Sequence, residues 1–134
     1  MGITIKPKSF GPISVRFNGD GTLLYSGEQE KFADVPPSGT PVDLLLASLG
    51  ACIAKSLEIA AGQRKLPLSP FTVEVAGNKA TNLPNRLGVV EIRVVGQLAE
   101  DLDLSIALLR QAKSICTISN TLNCTINLDL DRPG

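Results

Sequence analysis

The stretch PVDLLLASLGACIAKSLEIAA, residues 41–61, decides the fold. Thr40-Pro41-Val42-Asp43 has the chemistry of a helix start. Thr40 can cap orphan amides, proline suits the first helical position because its missing N–H has no helical partner there, and Asp43 favours the positive end of the dipole. The pattern predicts a helix running to about Gly62. Residues 44–54 are apolar or small all the way round, and a helix without a polar face has to be covered on every side. Only near Lys55, Glu58, Gln63 and Arg64 does it offer groups to water. In a chain of 134 residues one sheet covers one side of such a helix, so the other side calls for a partner. The expectation is an obligate homodimer with this helix buried at its interface. Ala47, Ser48, Gly50 and Ala51 are small enough to admit a second helix or a sheet, and Gly50 forgoes about 1 kcal/mol of helix propensity relative to alanine.

Working outward, Ile13, Val15 and Phe17 alternate with Ser14 and Arg16 before the turn-rich residues 18–21 and a second run at 22–25, which reads as a hairpin. Residues 31–35 predict another short strand, stopped by Pro36 and Pro37. Downstream, residues 71–77 and 89–98 alternate about Asn82-Leu83-Pro84-Asn85, a long hairpin with Glu74, Glu91 and Arg93 toward solvent. Residues 101–114 carry helical spacing at Leu104, Ala107, Leu108 and Ala112. A short helical turn is expected from Cys116 to Leu122, then a strand over 124–130 with Ile126, Leu128 and Leu130 inward. This order predicts one α+β domain over residues 1–134, with antiparallel sheet against helices.

Composition narrows the function. Thirteen basic residues balance thirteen acidic ones, with no basic run to attract nucleic acid or an anionic membrane. The N-terminus lacks the apolar core of a signal peptide, and the apolar run at 44–54 is too short to span a bilayer, so a cytoplasmic protein is expected. The absence of histidine removes Ser-His-Asp and Cys-His catalysis and histidine-ligated metals. Chemistry, if any, runs without imidazole, and no cofactor or metal is called for. Cys52, Cys116 and Cys124 are widely spaced, without a Cys-x-x-Cys pair, which speaks against a disulfide framework, a zinc knuckle or a thioredoxin-like dithiol.

The thiols themselves admit two readings. Cys52, among small and apolar neighbours, reads by itself as packing, since such a setting raises a thiol pKa. Cys116 lies where one helix ends and a short turn begins, so following amides can stabilise a thiolate. Bringing a thiol from about 8.5 to about 6 takes roughly 3.4 kcal/mol, while a helix terminus supplies about 0.3 to 1. A nucleophilic cysteine here therefore needs a cation. Arg16, Lys55, Arg64, Arg86, Arg110 and Lys113 are the candidates. Lys55 reads as a solvated or snorkelling side chain where the helix emerges. Arg16 flanks a hairpin turn, holds a permanent charge and can grip a carboxylate bidentately. Cys124, opening a strand, reads as a core residue.

Two segments together, PVDLLLASLGACIAKSLEIAA and AKSICTISNTLNCTINLDL, resemble the OsmC/Ohr family. Its members carry a Leu-Leu-Leu-Ala-Ala-x-Gly-x-Cys helix and, some sixty residues later, a Cys-Pro-x-Ser-Asn-Thr-Leu turn before a final strand. The resemblance spans essentially the whole chain. Thr117 in place of the proline, with Ile118 and Leu122, is closest to the broad OsmC-like branch. The resemblance implies an intertwined homodimer with sheets wrapped around central helices, and thiol-dependent reduction of organic, fatty-acid-type hydroperoxides. It implies a catalytic set of Cys52 as attacking thiolate, Cys116 as resolving thiol, Arg16 as cation and Asp43 in the place of the family's glutamate. A dithiol of lipoyl or thioredoxin type would restore the enzyme. Nine residues on a regular helix turn Asp43 about 180° from Cys52, so contact within one chain requires Asp43 to precede the helix proper. Leu45, Leu49, Ile53, Ile115 and Ile118 supply the expected apolar lining for substrate. The rival reading is a non-catalytic dimer that binds a small apolar ligand, with the cysteines as core residues.

Overall fold

A computed structural model describes residues 8–28, 31–37, 39–82 and 85–131. The elements follow the order β1 (Ser9–Phe17), β2 (Leu23–Ser26), α1 (Pro41–Gln63), β3 (Phe71–Lys79), β4 (Leu87–Val95), α2 (Leu102–Ile115), α3 (Thr117–Thr121) and β5 (Thr125–Asp131). The strands form one five-stranded sheet in the order β2-β1-β3-β4-β5. All neighbours are antiparallel except β4 and β5, which run parallel. The sheet is therefore mixed, correcting the antiparallel expectation. Alternation within 124–130 states which residues face inward but not which way the neighbouring strand runs. The helical crossover through α2 and α3 makes the parallel return possible, as a hairpin could not.

Residues 31–35 do not form a strand. Their contribution is a single antiparallel bridge between Tyr25 and Ala33, made by two hydrogen bonds of 2.7 and 2.8 Å.

The predicted alternation sets the two faces of the sheet. Ile13, Val15 and Phe17 on β1, Phe71, Val73 and Val75 on β3, and Val90, Ile92 and Val94 on β4 are all buried. The Phe17 and Phe71 rings stack with centroids 5.0 Å apart. Glu74 sits opposite Arg93 in register, and Arg93 pairs with Asp131 at the sheet edge. Arg93 and Glu91 are exposed and Glu74 half-buried, on positions that alternate with the core.

Thr40 and Asp43 close a capping box at the start of α1. The Thr40 N–H donates to Asp43 Oδ2 at 2.9 Å, and the Asp43 N–H donates to Thr40 Oγ1 at 3.3 Å. By length and composition α1 is apolar enough to cross a membrane, yet it buries ten of its residues within the fold. β1, β3, α2 and α3 pack against it. They leave a stripe uncovered. Leu44 is 49% exposed and Ile59 52%, with exposed Ser48 and Lys55 and half-buried Ala51 and Cys52 along the same three- and four-residue steps. Within one chain the helix thus meets solvent well before Lys55.

Candidate active site

Cys52 lies on the half-buried margin of that stripe, midway along α1. Cys116 stands between α2 and α3 with φ −74° and ψ 105°, an extended residue that ends one helix and caps the next. Its Sγ accepts the Ser119 N–H at 3.5 Å. Its carbonyl accepts the Asn120 N–H at 3.1 Å and the Ser119 hydroxyl at 3.2 Å. Asn120 Nδ2 also donates to the Ser114 carbonyl at 3.0 Å, tying the end of α2 to α3. These contacts press the corner against α1, and Cys116 is completely buried. Its thiol lies close enough to that of Cys52 for the two to influence each other, and both are free thiols. Burial pushes the Cys116 thiol up from its ordinary value, hydrogen bonding from Ser119 brings it part of the way back, and Cys52 adds to the rise.

The remaining candidates fall elsewhere. Val15 touches Gly50 of α1, so Arg16, its neighbour along the strand, projects from the opposite face of the sheet. Its guanidinium lies 5.4 Å from the Phe32 ring centroid, a cation–π contact. Asp43 is inside α1 as the third helical residue, half a rotation from Cys52 and about 13.5 Å along the axis. Within one protomer neither accompanies the thiols. Lys55 donates to the Gly21 carbonyl at 2.7 Å and pairs with Glu58 at 3.3 Å, so it anchors the β1–β2 turn instead of lying free in solvent. Arg64 donates to Gln111 at 3.0 Å and Arg86 to the Asn123 carbonyl at 2.6 Å. Arg110 is exposed and Lys113 half-buried in the second half of α2. Among the described residues none of these six cations is hydrogen-bonded to either thiol. Cys124 is half-buried; burial raises its thiol and Arg86 partly offsets the rise.

Of the expected apolar lining, Leu49 and Ile53 are fully buried in the core of the single chain. Leu45 and Ile118 are half-buried and Ile115 is 40% exposed, so these three keep accessible surface. A cavity of about 850 Å³ between the α1–β3 and β4–α2 connections, floored by Leu66, Leu98 and Leu104, touches neither thiol. Among the described residues no three histidine, cysteine, aspartate or glutamate side chains converge on a metal-sized site.

A family model described as OsmC-like protein matches residues 36–131, from the proline break through α1, both thiols and β5. The chain belongs to the OsmC-like family.

Solved structures repeat the fold of this OsmC-like protein. An OsmC-like protein from Mycoplasma pneumoniae aligns over 100% of both chains with TM-score 0.62 and 16% identity. The organic hydroperoxide resistance protein OhrB of Bacillus subtilis aligns over 96% of this chain and 98% of its own, with TM-score 0.55 and 16% identity. A putative osmotic stress induced and detoxification response protein from Psychrobacter arcticus gives 99% and 98%, TM-score 0.58 and 20% identity. At these identities the likeness is one of fold. No curated protein sequence matches the chain.

Two contacts of the OsmC-like chain were not named from the sequence, although amides following Cys116 were expected to reach its thiol. Ser119 holds Cys116, and Lys55 holds the first hairpin turn. The first had a signal, because a side-chain acceptor three residues before a donor N–H is the spacing of a helix cap. Lys55 and Gly21 are 34 residues apart, and nothing local pairs them.

Proposed function

We propose that the chain is a thiol peroxidase that reduces organic, fatty-acid-type hydroperoxides, with Cys52 as the attacking thiol and Cys116 as the resolving one. The observation that carries this reading is the meeting of two free thiols, 64 residues apart in sequence, where α1 packs against the α2–α3 corner. Their unequal burial supports the division of roles. Cys52 retains a path to solvent, while Cys116 is sealed behind it.

In the first step the Cys52 thiolate attacks the distal oxygen of the hydroperoxide. The O–O bond breaks, an alcohol leaves after taking a proton, and Cys52 becomes a sulfenic acid. In the second, the Cys116 sulfur attacks the Cys52 sulfur. The S–O bond breaks, the hydroxide leaves with the Cys116 proton as water, and a Cys52–Cys116 disulfide forms. A small dithiol is then oxidised to its own disulfide as it returns both thiols. The accessible apolar surface of Ile115 and Ile118, which flank Cys116 in the chain, and of Leu45, two turns before Cys52 on α1, favours an alkyl or acyl-chain peroxide over hydrogen peroxide. The name of the B. subtilis protein with the same fold, organic hydroperoxide resistance protein, points the same way.

The reading includes a homodimer formed along the exposed stripe of α1. Leu44 and Ile59 are the large apolar residues left uncovered on the core helix, and Cys52 lies between them. A second copy would cover that stripe on either side of Cys52. Arg16 and Asp43 join the chemistry in this scheme only when delivered by the second protomer.

Incubation with substoichiometric cumene hydroperoxide, followed by mass-spectrometric mapping of thiols, tests the mechanism. The expected product is one Cys52–Cys116 disulfide per peroxide consumed, and an unmodified Cys52 overturns the reading. Sedimentation tests the assembly: a dimer for the wild type and a monomer for Leu44→Glu/Ile59→Glu are expected, and a wild-type monomer rules the dimer out.

A further inference from the structure

We propose that Ser119 is a positioning residue for the resolving thiol, setting how fast Cys116 closes on oxidised Cys52. This rests on the peroxidase reading of the two cysteines.

Ser119 is a buried polar residue, 7% exposed, beside an apolar core. Such a group is retained where its hydrogen bonds are satisfied. Both its donors go to one residue: the N–H to Cys116 Sγ at 3.5 Å, and the hydroxyl to the Cys116 carbonyl at 3.2 Å. With the Asn120 N–H on the same carbonyl at 3.1 Å, they fix the Cys116 backbone and the direction of its side chain together.

That direction matters because a disulfide accepts a narrow geometry, with a Cβ–S–S–Cβ torsion near 90°. A sulfur already held toward Cys52 needs no search before bonding. Accepting the Ser119 N–H also orients the sulfur so that its own proton is turned away from that donor, while Cys52 is the neighbouring thiol. As Cys116 gives up its proton to the departing hydroxide, negative charge gathers on its sulfur, and the Ser119 N–H already aimed at it stabilises that charge without rearrangement, held in place by the Ser119 hydroxyl on the Cys116 carbonyl. The same N–H receives Cys116 as a leaving thiolate when a dithiol attacks the Cys52 sulfur of the disulfide. The first step, oxygen transfer to Cys52, makes no use of Ser119.

Stopped-flow mixing with cumene hydroperoxide, quenched into dimedone, separates the two steps. For Ser119→Ala the release of cumyl alcohol is expected at the wild-type rate, within about twofold, while the dimedone-trapped Cys52 sulfenic acid persists about tenfold longer. Ser119→Thr, which restores the hydroxyl, is expected to return the lifetime to within about threefold of wild type. Disulfide closure at the wild-type rate in Ser119→Ala overturns the positioning role alone, as does a slow Ser119→Ala that Ser119→Thr fails to restore. A wild-type Cys52 that takes no oxygen from the peroxide overturns the peroxidase reading and the role of Ser119 with it.

Discussion

Gly50 lies so close beneath Val15 that a Cβ on it would stand 2.8 Å from Val15 Cγ2 and 3.1 Å from Val75 Cγ2. Neither methyl belongs to a flexible chain end, and both are set in the sheet. The glycine is what lets α1 rest on β1 and β3.

Substituting Gly50 with alanine therefore carries two opposing effects. Helix propensity gains about 1 kcal/mol, while overpacking costs about 1–3 kcal/mol or more, so a net loss of stability is expected. Gly62 is the control on the same helix, because a Cβ there meets nothing within 4 Å. Gly62→Ala is expected to gain up to about 1 kcal/mol. Urea unfolding at one protein concentration reads both, and a neutral Gly50→Ala refutes the close approach.

The capping box predicts a structural role for Asp43. Asp43→Ala removes the acceptor for the Thr40 N–H and is expected to destabilise the protein by about 0.5–2 kcal/mol. First-turnover peroxide reduction is expected to stay within about twofold if the side chain acts only as a cap. A loss of a hundredfold or more in that turnover, beyond what unfolding explains, shows instead that Asp43 works at the thiol of a second protomer.

Alkaline stability depends on Cys116. Burial, the largest influence, raises its thiol above its ordinary value, so the fold favours the neutral form. A raised pKa contributes stability that is full below the unfolded value and is lost as pH rises through the folded one. Thermal midpoints of the reduced protein should therefore hold steady below about pH 8 and fall on the alkaline side. Cys116→Ala should be less stable throughout but flatter there. Cys124 is also raised by burial, so the double variant Cys116→Ala/Cys124→Ala should be flatter still. Equal alkaline slopes in all three proteins refute the assignment.

Lys55 pins the β1–β2 turn through the Gly21 carbonyl. Its side chain is 47% exposed, so Lys55→Met is expected to cost only about 1 kcal/mol or less. Hydrogen exchange should quicken at the amides of the turn, residues 18–22, and remain unchanged in the centre of β3. Unchanged exchange throughout means that the contact does not hold the turn.

Local patterns carried much of this architecture. Thr40-Pro41-Val42-Asp43 located the start of α1 because capping is settled within four residues, and the alternation of Ile13, Val15 and Phe17 with Ser14 and Arg16 named the buried face of β1. The paired segments around Cys52 and Cys116 placed the chain in its family. The limits were equally physical. Residues 31–35 had strand character but found a single bridge at Ala33, since a strand exists only where a neighbour offers its hydrogen bonds. Strand periodicity put Arg16 opposite Val15, yet its distance from Cys52 became visible only when Val15 was seen against Gly50. The direction of β5, the separation of buried Leu49 and Ile53 from accessible Leu45, and the enclosure of Cys116 by Ser119 and Cys52 were likewise decided by tertiary packing. Sequence alone determined the helices, most strands and the identities of the two thiols, because those follow from short-range periodicity and motif. Which groups surround each thiol belongs to the tertiary structure, because contacts across tens of residues depend on how the sheet and helices close on one another.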